Sequence, residues 1–203
     1  KPAADFVLDL IDPKTRKDDR LEAYRSDSGD VRYLLDEPVL DPGPAPEQLD
    51  VALVVDVSAA TDEARLDLAR AAAQALLSQL RPQDRVAVLA ASTSPATLGR
   101  DAMGAASKER VDELVGLLGK QTAGGASNLE AALLRAVELL PRGKGTVIYI
   151  GDGRPTVGAL LPGELRDRLL RLGALPRFYA VAVGSDANLE LLGALCDAGA
   201  GRG

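Results

Sequence analysis

Four unbroken apolar runs constrain this chain more than any other feature: Ala52 to Val55, Val86 to Ala91, Val147 to Ile150 and Phe178 to Val183. A strand with one wet face alternates apolar and polar residues, so runs of this length without alternation fit strands buried on both faces of a parallel sheet. Between them the apolar period changes to three and four. Leu66, Ala69, Ala73, Leu76, Leu77 and Leu80 form one stripe, ended by Arg81-Pro82. Val111, Leu114, Val115 and Leu118 form a second, and Leu129, Leu133, Ala136, Val137 and Leu140 a third. Leu165, Leu169 and Leu172 precede a stop at Gly173, and Leu189, Leu192 and Cys196 make the last stripe. Strands alternating with helices require right-handed crossovers, which predicts an α/β fold with a doubly wound, mostly parallel sheet flanked by helices.

The first fifty residues have another texture. Short strand-like pieces (Phe6 to Leu8, Leu21 to Tyr24, Val31 to Leu35) alternate with charged linkers, and SDSGD (26–30) is turn chemistry between two of them. The stretch 37–48 holds four prolines in twelve residues, too many for a helix or a central strand. The expected division is therefore a β-rich appendage with its Pro-rich linker over 1–48 and the α/β domain over 49–203. Charge divides in nearly the same place: residues 1–50 carry 13 acids against 7 bases and the remainder 17 against 17, so the whole net charge of −6 lies in the first fifty residues. Neither part is a basic footprint for nucleic acid. No run reaches the ~18 apolar residues of a membrane-spanning helix. Starting at Lys1, the sequence reads as a fragment whose targeting signal is not in view.

The chain has no histidine and a single cysteine. Ser-His-Asp and Cys-His catalysis, His-rich zinc sites and an internal disulfide are thereby excluded. No P-loop is present, because RGKGT (142–146) lacks the upstream glycine and the hydroxyl after lysine, and no Gly-rich dinucleotide turn follows the first strand. An enzyme is not expected. Open α/β sheets bind ligands past the carboxyl ends of their strands. There the sequence places Asp56 and Ser58, Ser92 to Ser94, Asp152 between two glycines, and Ser185-Asp186, with a polar loop, TAGGASNLE (122–130), opening a helix. Two carboxylates from separate strands beside small hydroxyls form an all-oxygen donor set, which suits Mg²⁺, Mn²⁺ or Ca²⁺.

The order VVDVSAA, LRPQDRVAVLAAS, AGGASNLEAALLRAVELL, VIYIGDGRPTVG, FYAVAVGSDANLELLGAL resembles a von Willebrand factor type A domain. It is most similar to the group in which that domain follows a β-rich VIT domain, as in inter-alpha-trypsin inhibitor heavy chains and their bacterial relatives. The likeness spans about residues 2–200, with the DVS and GDGRPT segments its most specific parts. It implies a metal-ion-dependent adhesion site whose positions fall here on Asp56, Ser58, Ser127 (in place of the family's threonine) and Asp152. A fifth position departs, for Ala60 stands where a second ligand serine is expected. Mg²⁺ readily keeps several waters, so one missing hydroxyl weakens such a site without abolishing it. The family also implies a final strand and helix after the last helix here, or a sheet edge completed by the appendage. Relatives with this pairing of domains are often exported, and the compartment stays open.

Three functions follow. The domain is an adhesion or assembly module docking an acidic side chain of a protein partner through the metal, or a metal-free scaffold of the same fold, or a Mg-dependent α/β enzyme or signalling domain, for which no base is evident. Each residue also has a plainer role. Asp56 can cap the turn after its strand, the glycines of GDGRPT can serve only a tight turn, and Ser127 with Glu130 reads as a capping box. Cys196 reads as a buried small hydrophobe, and the arginines of 164–173 as a solvated helix face.

Overall fold

The computed structural model describes the backbone of residues 20–25 and 32–37 and all of residues 46–59 and 61–199. The expected strand at Phe6 to Leu8, the SDSGD turn, most of the Pro-rich linker, Ala60 and the last four residues lie outside the described residues. Two compact units divide the chain, Lys1–Ala45 and Pro46–Gly203. In the first, β1 (Arg20–Arg25) and β2 (Arg32–Glu37) pair antiparallel, Arg20 opposite Glu37.

The second unit is a three-layer α/β sandwich. Its long strands are β3 (Asp50–Asp56), β4 (Arg85–Ala91), β7 (Thr146–Gly151) and β8 (Arg177–Ala182), all parallel in the order β4-β3-β7-β8. The outer edge of β4 is covered antiparallel by two short strands, β5 (Ala96–Thr97) and β6 (Gly104–Ala105). These carry no apolar run for a sequence pattern to register; their two-residue pairing blunts an edge that would otherwise be open.

The helices are α1 (Glu63–Ser78), α2 (Lys108–Gly119), α3 (Leu129–Leu139), α4 (Pro162–Leu170) and α5 (Leu189–Ala198). α1 and α2 lay Leu66, Ala69, Leu77, Leu114 and Leu118 on one face of the sheet, against Leu53, Val55, Val86 and Val88. The opposite face receives α3, α4 and α5, whose Leu133, Ala136, Leu165, Leu169, Leu192 and Leu195 pack on Val54, Leu89, Val147, Tyr149 and Phe178. Each fully buried leucine contributes about 1.5–3 kcal/mol. With aromatics at 3% of the sequence, aliphatic burial carries the domain.

Two expected details change. Leu189 is the first residue of α5 and 68% exposed, so the buried stripe of that helix is Leu191, Leu192 and Leu195, and Cys196 at its border is only half-buried. Nor is Arg168 merely solvated. It pairs with Glu130 at 2.6 Å and Glu164 at 2.5 Å, tying α4 to the start of α3.

The chain leaves β3 toward β4 on one side and returns to β7 on the other. That reversal puts the crevice between β3 and β7 at their carboxyl ends, the place where open α/β sheets hold ligands.

Candidate functional site

Asp56 ends β3 and Asp152 follows β7, so parallel pairing of the two strands sets both acids on one rim of the sheet. Both are buried, 1% and 4% exposed, as are Ser58 and Ser127. The two acids use the same local device. Asp56 Oδ1 accepts the N–H of Ser58 at 2.8 Å, and Asp152 Oδ1 accepts the N–H of Arg154 at 2.9 Å. Each is an Asx-type turn reaching two residues ahead. The plainer turn-capping role read from the sequence is thus real, and it occupies one oxygen of each carboxylate.

The second oxygen of Asp56 faces inward. Ser127 donates its hydroxyl to Asp56 Oδ2 at 3.2 Å, and Tyr149 donates its phenol to the same atom at 2.9 Å. The N–H of Gly153 donates in turn to the Tyr149 oxygen at 3.2 Å. One phenol therefore joins the acid ending β3 to the turn that carries Asp152. Burial above all, then the charge of Asp56, raises the Tyr149 phenol well above its ordinary value, so it remains a proton donor at neutral pH. Tyr149→Phe strips a donor from Asp56 and an acceptor from Gly153 in a buried setting. It is expected to lower stability by about 1–3 kcal/mol, read as a lower midpoint in equilibrium urea unfolding with an unchanged slope.

Backbone pairing brings the loops together. Gly124 N–H donates to Val57 O and Ala59 N–H to Gly125 O, both at 2.9 Å, which zips the turn after β3 to the loop before α3. Thr156 brackets Ser127, accepting its N–H on Oγ1 and donating its own N–H to the Ser127 carbonyl, both at 2.9 Å. Ser127 is not the cap of α3. Asn128 holds that place and accepts the N–H of Ala131 at 3.1 Å, because the serine hydroxyl is turned to Asp56 instead. Glu130 does not reach back as a capping box requires. It accepts the Arg168 guanidinium, which foremost holds its carboxyl below the ordinary range against burial, and the N–H of Ala159 at 2.8 Å, which adds to this and fastens the loop after Asp152.

All four residues read from the sequence thus meet in one cluster. Tyr149 and Thr156 are additions. Tyr149 lies inside an apolar run and read only as core, although a lone phenol among aliphatics three residues before a candidate ligand was a usable signal.

A dication can be tested against these residues. Ser58 Oγ is fully buried and has no hydrogen-bond partner among the described residues, so its lone pairs are free. Ser127 spends its proton on Asp56 and keeps its lone pairs. Burial first, with the charge of Asp56 adding and the N–H and charge of Arg154 opposing, raises the Asp152 carboxyl above the ordinary range. Among the described residues no three acidic or thiol side chains cluster to hold an ion, so hydroxyls must complete any shell. The donors present fit a hard cation bound by two carboxylates and two hydroxyls, with water filling the remainder.

Residues 51–154 match the von Willebrand factor type A domain. The chain belongs to the von Willebrand factor type A domain family. Members of this VWA family commonly mediate protein interactions. Over 189 residues, 85% of the chain, it is 27% identical to inter alpha-trypsin inhibitor heavy chain 4 of Mus musculus, of whose length it spans 20%. Its fold is similar to the von Willebrand factor type A protein from Catenulispora acidiphila, with a TM-score of 0.63 and 18% identity over 74% of this chain and 37% of that one. BatB from Bacteroides thetaiotaomicron is another structural relative, with a TM-score of 0.59 and 14% identity over 75% of this chain and 87% of that one. The VWA core thus agrees with the doubly wound fold expected from the apolar runs. Among the described residues no helix is long and apolar enough to cross a membrane.

Proposed function

We propose that this VWA domain is a protein-binding module that docks an acidic side chain of its partner at the carboxyl edge of the sheet, with Mg²⁺ or a similar dication held by Asp56, Ser58, Ser127 and Asp152. One observation carries the reading: Ser58 Oγ is a fully buried hydroxyl without a partner among the described residues, on the residue whose N–H binds the buried carboxylate of Asp56. A bound dication supplies positive charge that the site's own oxygens leave partly uncompensated. The chain's part is to keep the donors in place. Tyr149 and the Ser58 N–H fix the carboxylate of Asp56, and Thr156 fixes Ser127 through its backbone.

A metal-free scaffold is the second reading, and two observations favour it. Ala60 replaces an expected ligand serine, and Asp56 already receives three donors without any cation. A carboxylate offers about four lone-pair sites, however, so one remains.

Calorimetric titration with Mg²⁺ and Mn²⁺ separates the two. The wild-type chain is expected to give saturable heat at millimolar metal and Asp152→Ala none, while Ala60→Ser, restoring a hydroxyl, binds more tightly than wild type. Absence of saturable heat from the wild type with both metals leaves the scaffold reading standing.

A further inference from the structure

Beside the cluster, two arginines share one acid. Arg154 follows Asp152 by two residues and gives it its backbone N–H, so its side chain departs from the turn that carries the buried carboxylate. Its guanidinium is 55% exposed and donates to Asp186 Oδ2 at 2.8 Å. Asp186 Oδ1 is held at 2.8 Å by Arg65, whose side chain is only 26% exposed. Asp186 lies in the loop after β8, on the same rim, and Asn188 of that loop donates its N–H to the Asp152 carbonyl at 2.8 Å.

We infer that Arg154 is a specificity-determining residue for the docked acid: it leaves Asp186 and takes one oxygen of the incoming carboxylate, while Asp186 and Arg65 hold it in reserve until then. This rests on reading the rim as a carboxylate receptor. Three features carry it. The guanidinium is the cationic group borne by the same turn as Asp152, and its planar fork matches a carboxylate edge. Its present tie is a half-exposed ion pair, the kind that contributes little and exchanges easily. Finally, releasing Arg154 strands nothing, because Asp186 keeps Arg65. The forces holding the Asp186 carboxyl below its ordinary range rank its own backbone N–H and Arg65 ahead of Arg154. Arg65 is not equivalent, since it is more buried and also reaches Asp62 at 3.4 Å.

Acetate is the probe, titrated into the full ¹⁵N-labelled chain with and without saturating Mg²⁺ and followed by amide shifts around Asp152, beside a Mg²⁺ titration of each variant. Arg154→Gln is expected to weaken acetate about five- to tenfold, the worth of one exposed charge-assisted pair, and to bind Mg²⁺ as tightly as wild type or more so, since a neighbouring positive charge is gone. Asp186→Asn should do the reverse, tightening acetate about threefold and weakening Mg²⁺. Mere damage to the turn would weaken both ligands together in both variants. If acetate binds Arg154→Gln as it binds wild type, or if both variants shift both ligands in the same direction, the assignment of Arg154 is overturned. Wild-type chain that takes acetate but no Mg²⁺ sinks the cation reading instead and supports Arg154 as the receptor's positive group; wild-type chain that takes neither sinks both.

Discussion

Gly151→Ala is expected to destabilise the VWA domain by about 3 kcal/mol and to abolish saturable Mg²⁺ heat. Gly151 is the last residue of β7, where the backbone passes directly under the cluster. A Cβ there would stand 2.6 Å from Asp56 Cβ and closer still to the Tyr149 phenol oxygen. Neither neighbour can give way, because Asp56 is fixed by Ser58, Ser127 and Tyr149, and Tyr149 is fully buried. The added methyl must therefore push the phenol off Asp56 and the two acids apart, so stability and cation binding fail together. Gly116→Ala is the control. Gly116 lies inside α2, a Cβ there meets nothing within 4 Å, and the same chemical change should stabilise by about 0.5–1 kcal/mol through helix propensity. Urea unfolding of both variants reads the two signs, and a Gly151→Ala protein as stable as wild type would show that the rim tolerates a methyl group.

That crowding explains which parts of the molecule the sequence makes legible. Strands buried on both faces write themselves as apolar runs, and each of the four runs is a strand of the sheet to within a few residues. Asp56 and Asp152 were legible for a related reason: a buried run that stops on an acid marks the sheet's rim, and parallel strands stop on the same rim. Partners that arrive from elsewhere leave no local trace. Tyr149 fits its run as one more large apolar residue, and only the pairing of β3 with β7 aims its hydroxyl at Asp56. The Ser127 and Glu130 spacing is a capping box by pattern, yet tertiary partners took both side chains, Asp56 the hydroxyl and Arg168 the carboxylate. The short strands β5 and β6 are defined by the neighbour they cover, not by their own composition. Grouping Asp56, Ser58, Ser127 and Asp152 as one set came from the resemblance to the VWA family, since two strand-end acids and scattered serines do not suggest it by themselves.

Asp84→Asn is expected to lower stability at pH 7 by about 2–3 kcal/mol while leaving Mg²⁺ titration unchanged, because it acts at the opposite edge of the sheet. Asp84 precedes β4 and is 1% exposed. Its carboxylate accepts the N–H of Leu49 at 2.9 Å, the N–H of Arg81 at 2.8 Å, and Arg81 Nε and Nη2 at 3.2 and 2.8 Å, stapling the entry of β3 to the turn after α1. The Arg81 guanidinium foremost, helped by the two backbone N–H groups and opposed by burial, holds the Asp84 carboxyl at about 2, against an ordinary 3.8. A depressed carboxylate contributes stability that is fully present above its ordinary value and lost as pH falls through its folded one. The window is therefore from about pH 4 down to about pH 2, and the contribution about 2 kcal/mol. An asparagine has no such titration. Measured by urea midpoints at stepped pH, the gap between wild type and Asp84→Asn should hold steady from pH 7 to 5 and close progressively toward pH 2, where the wild-type acid takes up its proton. A gap of constant size down to pH 2 would mean that the staple owes its strength to shape and not to charge.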